Sequence, residues 1–185
     1  MHDYMSRFGL GQRVALDMYE ETAGLMPSRE WRRSRYRQPW YPGETVILGI
    51  GQGYMQATPI QLAQMTALLA NKGHWIRPHL AKTIDGQPPV DPDPMPDIVL
   101  RDPANWDRVD YGMQQVVHGA RGTARKVGAT SAYLIAGKSG TAQIVAIRQG
   151  ERYNRLKTQE RHRDNALFVG FAPASAPSIV VSVTI

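Results

Sequence analysis

The 185-residue sequence contains no cysteine, which excludes disulfide bonds and zinc-thiolate sites but does not by itself identify the compartment. It also has no run of about 18 apolar residues, the length that a membrane-spanning helix needs. Residues 1–10 lack the basic start and apolar centre of a secretion signal. We therefore expect any export signal or membrane anchor to lie outside this chain.

The composition is that of a globular protein, with 42% hydrophobic and 21% charged residues. Lysine and arginine number 22 against 16 acidic residues, so the chain could attract phosphates, anionic lipid or an acidic polymer. The basic residues concentrate in 29–37 and 148–163. No aromatic-basic pattern of a common RNA-binding module accompanies them, and we therefore expect no nucleic-acid binding.

Two helices are predicted from their end signals. Thr58 is placed to cap the first, Pro59 occupies its first position and Gly73 follows its end. Its apolar positions leave only a narrow polar stripe, which predicts a largely buried helix; the stripe consists of Gln61, Gln64, Asn71 and Lys72. The second helix is expected to begin with Asp102 as cap and Pro103 at the first position, and to end at Gly119. Its apolar residues recur at helical spacing, at Trp106, Val109, Met113, Val116 and Val117.

The segments between these elements predict little regular structure. Residues 29–44 are interpreted as a surface excursion closed by turns, and residues 74–84 as an extended segment. Residues 87–97 hold five prolines in eleven positions and predict an exposed loop. The last part of the chain changes to β-branched and apolar runs at 132–147, 165–172 and 178–185, which predict three sequential antiparallel strands. Because the sequence ends within such a run, we expect the domain to continue beyond Ile185.

A short polar sequence, Lys138-Ser139-Gly140-Thr141, interrupts the first of these apolar runs. Successive side chains of a strand point to opposite faces, so the two hydroxyls are predicted to share one face while Lys138 and Gly140 take the other. A buried ammonium needs hydrogen-bonding partners, which a catalytic cleft would supply. Gly140 would allow the backbone of a ligand to approach closely. The alternative is a structural strand that happens to contain a lysine and a glycine near an edge.

The segment AGKSGTAQ resembles the third member of the set Ser-x-x-Lys, Ser-Asp-Asn and Lys-Thr-Gly, which class A β-lactamases share with penicillin-binding proteins. The longer segment at 49–80, GIGQGYMQATPIQLAQMTALLANKGHWIRPHL, is similar to the region that class B penicillin-binding proteins place between their second and third motifs. FGLGQRVALDMYEETAGLMPSREW, RQPWYPGET and NALFVGFAP resemble the penicillin-binding protein 2 type in Gram-negative bacteria.

This resemblance implies a fold and a domain assignment. The fold would be the α/β fold of serine β-lactamases and transpeptidases, incomplete, with C-terminal antiparallel strands and flanking helices. Residues 1–185 would form the C-terminal portion of a transpeptidase domain. Eight serines occupy positions 6, 28, 34, 131, 139, 175, 178 and 182, and none has lysine three residues later or asparagine two residues later. The first two motifs are thus expected upstream, and the chain alone is expected to be inactive.

The resemblance also implies an activity. The parent protein would be a peptidoglycan D,D-transpeptidase that crosslinks D-Ala-D-Ala stem peptides through an acyl-serine during cell elongation, and a target of β-lactams. Lys138 and Thr141 would be catalytic, through an ammonium beside the second-motif serine and a backbone oxyanion donor. Ser139, Gly140 and Thr141 would bind substrate. No cofactor or metal is implied. The domain would lie on the periplasmic side of the inner membrane, with rod-complex membrane proteins as partners.

Two other functions remain open from the sequence. A D,D-carboxypeptidase or β-lactamase-like hydrolase would use water in place of the acceptor amine. A non-catalytic penicillin-binding sensor or binding module would not need Lys138 and Thr141 for acylation.

Three further features are interpreted as structural. His74 and His79 lack the helical spacing of a metalloprotease pair. Gly49, Gly51 and Gly53 lack the βαβ context of a dinucleotide site and predict a loop before the first helix. The basic loop 148–164 is most simply a solvated excursion, although it could touch glycan or a partner near the mouth of the cleft.

Overall fold

The computed structural model describes residues 1–144 and 159–185, apart from the side chain of Arg161. The helices in these ranges are α1 His2–Ser6, α2 Arg29–Tyr36, α3 Pro42–Gly49, α4 Pro59–Ala70, α5 Ala104–His118 and α6 Arg125–Gly128, with a 3₁₀ turn at Glu160–His162. The strands are β1 Ala136–Ala142, β2 Asn165–Ala172 and β3 Ile179–Thr184. Across the described ranges, every helix falls short of the length and apolarity needed to cross a membrane.

The three strands form one antiparallel sheet in the order β1-β2-β3, as the sequence predicts. In the register, Ser139 lies opposite Phe168, and Phe168 lies opposite Val183. β1 is shorter than the predicted run at 132–147, because residues 132–135 precede the strand and residues 143–144 follow it; residues 145–147 lie outside the described ranges. The sheet thus has β1 as one edge and β3 as the other among the described strands.

Helix α4 begins and ends where its signals indicate. The Thr58 hydroxyl accepts a hydrogen bond from the Gln61 backbone N–H, and the Gln61 side chain accepts one from the Thr58 N–H, which together form a capping box. Gly73 adopts φ +91°, and a Cβ there would lie 2.4 Å from the Ile98 carbonyl oxygen. Glycine is therefore required at this C-terminal turn.

The predicted polar stripe of α4 is wrong for its first two members. Gln61 and Gln64 are 0% and 4% exposed, whereas Asn71 and Lys72 are exposed as predicted. Gln61 is buried because its Nε2 donates to the carbonyl oxygens of Gln12 and Ala23, at 2.6 and 2.8 Å. The helix is largely buried as expected, but it also anchors the loops beside it through a polar side chain.

Helix α5 begins at Ala104, one residue later than predicted, and the Asp102 side chain accepts a hydrogen bond from the Ala104 N–H at 3.0 Å. Trp106, Met113 and Val117 are buried, in agreement with the predicted apolar face. Val109 is 44% exposed, so the face is narrower than the spacing indicates.

Residues 29–44 differ from the prediction of a turn-closed surface excursion, because α2 and the start of α3 occupy them. Ser28 caps α2 by accepting a hydrogen bond from the Trp31 N–H. Arg32 is buried, with its guanidinium 4.5 Å from the ring centroid of Tyr36 and its Nε 3.1 Å from a carboxylate oxygen of Glu44. These contacts hold the one buried side chain of α2 against an aromatic ring and a carboxylate, an arrangement that was not predicted from the sequence.

Two segments follow α4, residues 74–84 and 87–97, and neither contains a helix or a strand. This result confirms the proline-rich loop. Within residues 74–84, Trp75 packs into the main hydrophobic cluster.

The main hydrophobic cluster joins α4, α5 and the loops, and consists of Phe8, Val14, Leu68, Trp75, Ile98 and Trp106. A second cluster attaches α5 to the sheet through Met113, Ala136 and Phe171. Helices α4 and α5 thus cover the face of the sheet that carries Ala136 and Phe171. The opposite face carries Val181 and Val183, which are 42% and 43% exposed.

Candidate functional site

The Lys138–Thr141 sequence lies within a strand, β1, as predicted, and β1 is an edge of the described sheet. Lys138, Gly140 and Thr141 are exposed and Ser139 is half-buried. Neither hydroxyl is packed into the hydrophobic interior. The polar sequence therefore presents its side chains on the surface of a strand whose start, at Ala136, is fully buried.

The backbone of Thr141 faces away from the sheet. Ala166 exchanges both of its backbone hydrogen bonds with Ile185, on the β3 side. Because Thr141 lies opposite Ala166, the two form a pair without mutual hydrogen bonds, and the N–H and C=O of Thr141 point to the open edge of β1. Ser139 has the same orientation, two residues earlier. The open edge thus offers the N–H groups of residues 139 and 141, while the carbonyl oxygens of both residues accept hydrogen bonds from side chains.

Lys138 and Gly140 share the face of the strand that α5 covers, since Ala136 on that face packs against Met113. The Lys138 side chain is exposed. Its Nζ donates a hydrogen bond to the carbonyl oxygen of Ser139. The ammonium therefore lies at the open edge, where it adds a positive charge beside the exposed peptide groups.

A cleft of about 500 Å³ adjoins the Lys138 side chain. Its other walls come from α5 and from the loop that follows it, through Gly112, Gln115, Val116, Gly119, Ala120, Arg121, Gly122 and Thr123. The cleft is open to solvent and carries a second cation at Arg121. Its electrostatics favour an anionic group.

Two residues at the site were missed by sequence reasoning. Thr123 Oγ1 lies 2.7 Å from Ser139 Oγ, across a separation of 16 residues. Gln52 Nε2 donates to the Thr141 carbonyl oxygen at 2.8 Å, across 89 residues. The only local signal for Gln52 is its position between Gly51 and Gly53, which the sequence marks as a loop. Nothing in the sequence around Thr123 indicates its contact.

The start of β1 is held by a histidine. His118, the last residue of α5, accepts a hydrogen bond at Nε2 from the Ile135 N–H at 2.9 Å. A Cβ at Gly137, one residue into the buried part of the strand, would lie 2.6 Å from the Phe168 ring. The entry to the polar sequence is thus fixed by close packing and by a side chain of α5.

The histidines at 74 and 79 have separate partners. His74 Nδ1 lies 2.9 Å from a carboxylate oxygen of Asp97, and His79 Nδ1 lies 2.7 Å from the Ala81 carbonyl oxygen. The hydrogen bond from His74, followed by that from the Trp75 N–H, lowers the pKa of Asp97 below its usual value. Within residues 1–144 and 159–185, no three His, Asp or Glu side chains are grouped to hold a metal ion. Each histidine thus has its own polar partner in the described structure.

The structure describes the glycine-rich segment at 49–53 but only the end of the basic loop 148–164. Gly49 is the last residue of α3, while Gly51 and Gly53 lie in the predicted loop before α4 with φ of +73° and +80°. Most of the basic loop 148–164, including Arg155, lies outside the described residues, as does the Arg161 side chain. The hypothesis that this loop contacts glycan or a partner stays a prediction.

Comparisons with known proteins identify the family of this chain. The sequence profile of the Penicillin binding protein transpeptidase domain matches residues 1–185. The peptidoglycan D,D-transpeptidase MrdA of Haemophilus influenzae is 42% identical over 186 residues, covering 99% of this chain and 29% of the relative. MrdA of Escherichia coli K12 is 40% identical over 189 residues, covering 98% of this chain and 29% of the relative.

Solved structures confirm the predicted fold. Pseudomonas aeruginosa PBP2, solved in complex with WCK 5153, aligns with a TM-score of 0.88 and 78% identity over 100% of this chain and 38% of that chain. A complex of PBP2 and MreC from Helicobacter pylori aligns with a TM-score of 0.82 and 27% identity over 99% of this chain and 31% of that chain. The chain spans 29% of the length of the curated relatives named above.

Proposed function

Because the chain belongs to the penicillin-binding protein transpeptidase domain family, we propose that residues 1–185 form the C-terminal part of the catalytic domain of a peptidoglycan D,D-transpeptidase. The MrdA relatives carry the name of that activity. The nucleophilic serine, its lysine partner and the second motif belong to residues outside this chain, since none of its eight serines has the required neighbours. The chain supplies the third motif.

The observation that carries this proposal is the open edge of β1, where the Thr141 N–H points away from the sheet beside the Lys138 ammonium. An exposed strand edge can bind an extended peptide through its main chain. A backbone N–H fixed in this way can also stabilise the oxyanion of a tetrahedral intermediate. One edge thus serves both substrate binding and acyl transfer.

The proposed reaction has two acyl-transfer steps. The serine hydroxyl attacks the carbonyl carbon between the two D-alanines of a stem peptide, a C–O bond forms, and the C–N bond to the terminal D-alanine breaks as the serine proton passes to the leaving amine. An amine of a second stem peptide then attacks the ester. A new C–N bond forms, the C–O bond breaks, and the proton returns to the serine oxygen.

Each residue of the third motif has a proposed role. The Lys138 ammonium holds a positive potential beside the second-motif serine and assists the passage of the proton to the leaving group. The hydroxyls of Ser139 and Thr141 hydrogen-bond the terminal carboxylate of the stem peptide or of a β-lactam. The Thr141 N–H is one of two oxyanion donors, and the other is the backbone N–H of the nucleophile. Gly140 leaves room for the peptide that lies along the strand.

The partners and location follow from the relatives. The H. pylori protein was solved with MreC, and we propose an equivalent membrane protein of the rod complex as a partner here, in cell elongation. Penicillin binding protein 3 of Mycobacterium tuberculosis, 28% identical over 99% of this chain and 39% of that chain with a TM-score of 0.73, was solved with aztreonam. We propose β-lactams as inhibitors, and a periplasmic position with an inner-membrane anchor on residues outside this chain.

Labelled penicillin tests the site in the whole protein that contains this chain. We expect penicillin to attach covalently, and Lys138→Ala to slow attachment by about 100-fold or more, as loss of an electrostatic group at an acyl-transfer site does. Attachment at the same rate in Lys138→Ala and Thr141→Val proteins would instead indicate a non-catalytic binding module. Penicillin should not attach to residues 1–185 alone, and covalent labelling of that chain would refute the assignment of the nucleophile.

Product analysis tests the reaction. Incubation of the whole protein with a stem pentapeptide and an acceptor amine should give a new amide and free D-alanine. Release of D-alanine with water as the only acceptor, at the same rate with and without the amine, would indicate a D,D-carboxypeptidase.

A further inference from the structure

The open edge of β1 is occupied, just beyond the proposed oxyanion donor, by a side chain from a distant loop. We propose that Gln52 is a positioning residue of this site, whose carboxamide clamps the open edge at Thr141 and Gln143 and thereby fixes the peptide plane that carries the Thr141 N–H. This inference rests on the proposed function, because it assigns a role to a residue that touches the strand and not the reacting atoms.

The carboxamide of Gln52 bonds β1 as a neighbouring strand would. Its Nε2 donates to the Thr141 carbonyl oxygen at 2.8 Å, and its Oε1 accepts from the Gln143 N–H at 3.4 Å. In a parallel ladder, one residue donates its N–H to a carbonyl of the neighbouring strand and accepts a hydrogen bond from the N–H that lies two residues further along that strand. The Gln52 carboxamide makes the same pair of hydrogen bonds to β1. One planar side-chain amide thus replaces a strand that the described sheet does not have on this side.

The clamp lies where the strand needs support. The ladder between β1 and β2 ends at Ala142, which pairs with Asn165. Gln143 follows outside the strand, and residues 145–158 lie outside the described structure. The proposed oxyanion donor at Thr141 is therefore one residue from the end of its ladder, and Gln52 supplies hydrogen bonds on the side opposite β2.

The loop that carries Gln52 is itself closely fixed. Gly51 and Gly53 adopt φ of +73° and +80°, a region that other residues enter only with strain. The Gly51 N–H donates to the Leu48 carbonyl oxygen at 2.9 Å and the Gln52 N–H donates to the Ile47 carbonyl oxygen at 3.1 Å, so the turn closes onto the end of α3. The Gly-Gln-Gly sequence thus directs one glutamine from a rigid turn onto the edge strand.

Positioning at this point affects the chemical step more than binding. The Thr141 carbonyl lies in the peptide plane that follows Thr141, and the Thr141 N–H lies in the plane that precedes it. If the carbonyl is released from Gln52, the plane that carries the N–H can rotate as well. A displacement of about 1 Å in a group that aligns the reacting atoms can lower a rate by about 100-fold. The hydroxyls that would hold the substrate carboxylate are on side chains, whereas the hydrogen bonds of the Gln52 carboxamide go to backbone groups.

Two substitutions in the whole protein test the clamp. Gln52→Glu keeps the shape but places a carboxylate oxygen against the Thr141 carbonyl, and Gln52→Met removes both hydrogen bonds without adding charge. The measurements are the acylation rate constant at saturating labelled penicillin, per active site, and the concentration of penicillin that gives half of that rate. We expect the saturating rate constant to fall at least about 10-fold in both variants, with less than a 3-fold change in the half-saturating concentration.

The matched control is Gln87→Glu, which makes the same chemical change at an exposed glutamine in the proline-rich segment, and it should leave both parameters unchanged. Because the rate constant is counted per active site, a loss of folded protein does not imitate the effect. Wild-type rate constants in both Gln52 variants would overturn the clamp, whether or not their thermal stability falls. An absence of acylation in the wild-type protein would overturn the proposed function instead.

Discussion

The hydroxyl oxygens of Thr123 and Ser139 lie 2.7 Å apart, so the side chain proposed to bind the substrate carboxylate has a fixed hydrogen-bonding partner. Thr123 lies in the loop after α5 and lines the same cleft as Lys138. If Thr123 donates to the Ser139 oxygen, the Ser139 hydrogen is free to point at a carboxylate. The orientation of one hydroxyl thus depends on the other.

Thr123→Val should weaken binding more than it slows chemistry. Valine keeps the shape of threonine but cannot orient Ser139, and loss of one hydrogen bond of about 0.5–1.5 kcal/mol corresponds to a rise of roughly 2- to 12-fold in the half-saturating penicillin concentration. The saturating acylation rate constant should change less than twofold. Thr22→Val, at an exposed threonine, is the control. An unchanged half-saturating concentration in Thr123→Val protein would show that the contact has no part in binding.

Gly140 and Gly137 should respond differently to alanine. A Cβ at Gly140 would meet only Leu167 atoms, at 3.4 Å or more, which is ordinary contact, whereas one at Gly137 would lie 2.6 Å from the Phe168 ring. We expect Gly140→Ala to leave the unfolding free energy unchanged or raise it by about 0.5 kcal/mol. It should also slow acylation at least about tenfold, because the methyl group projects from the face of β1 that carries Lys138.

Gly137→Ala should destabilise the protein by about 1–3 kcal/mol through overpacking. Urea unfolding and penicillin acylation of both variants check the pair. Acylation of Gly140→Ala protein at the wild-type rate would show that glycine is not needed there for access to the strand.

The elements that could be predicted from the sequence are those whose causes are local. The ends of α4 follow from Thr58, Pro59 and Gly73, each of which acts within a few residues of its own position. The sheet order follows from three consecutive β-branched and apolar runs, and the position of the Lys138–Thr141 sequence on a strand follows from the first of these runs. Alternation along a strand then assigns the faces of its side chains.

The features that sequence reasoning missed depend on contacts between distant residues. Helix α2 buries one residue, Arg32, and that burial comes from the stacking of its guanidinium on Tyr36 and Tyr54. Gln52 reaches β1 across 89 residues, and its role cannot be seen before the sheet has an open edge. Gln61 looks like part of a solvent-facing stripe until the loops at Gln12 and Ala23 bring their carbonyl groups to it.

The carboxylate of Asp17 should make the free energy of unfolding depend on pH in the acidic range. It accepts hydrogen bonds from the N–H groups of Ala81 and Leu80, at 2.8 and 2.9 Å, and these bonds, that from Ala81 first, lower its pKa below the usual 3.8. The folded protein binds a proton at Asp17 less readily than the unfolded chain does. The contribution of Asp17 to the free energy of unfolding is therefore complete above the pKa of the unfolded chain and is lost as the pH falls below that pKa.

We therefore expect Asp17→Asn to lower the thermal unfolding midpoint at neutral pH, and the difference from wild type to shrink as the pH falls below about 4. Asp85→Asn, at an exposed aspartate, should show no comparable change with pH. A difference between Asp17→Asn and wild type that stays constant between neutral and acidic pH would contradict this assignment.

Gln61 and Gln64 provide a matched pair on one helix. Both are buried, but Gln61 bonds the backbone groups of Gln12, Ala23 and Thr58, whereas Gln64 Nε2 has no partner among the described residues. Gln61→Leu leaves three backbone groups unpaired, at about 1–3 kcal/mol each, and should lower the unfolding free energy by at least about 3 kcal/mol. Gln64→Leu removes an unpaired amide and should leave stability unchanged or raise it by about 1 kcal/mol. Urea unfolding followed by tryptophan fluorescence measures both, and equal losses in the two variants would show that burial alone, not hydrogen bonding to the loops, determines their contributions.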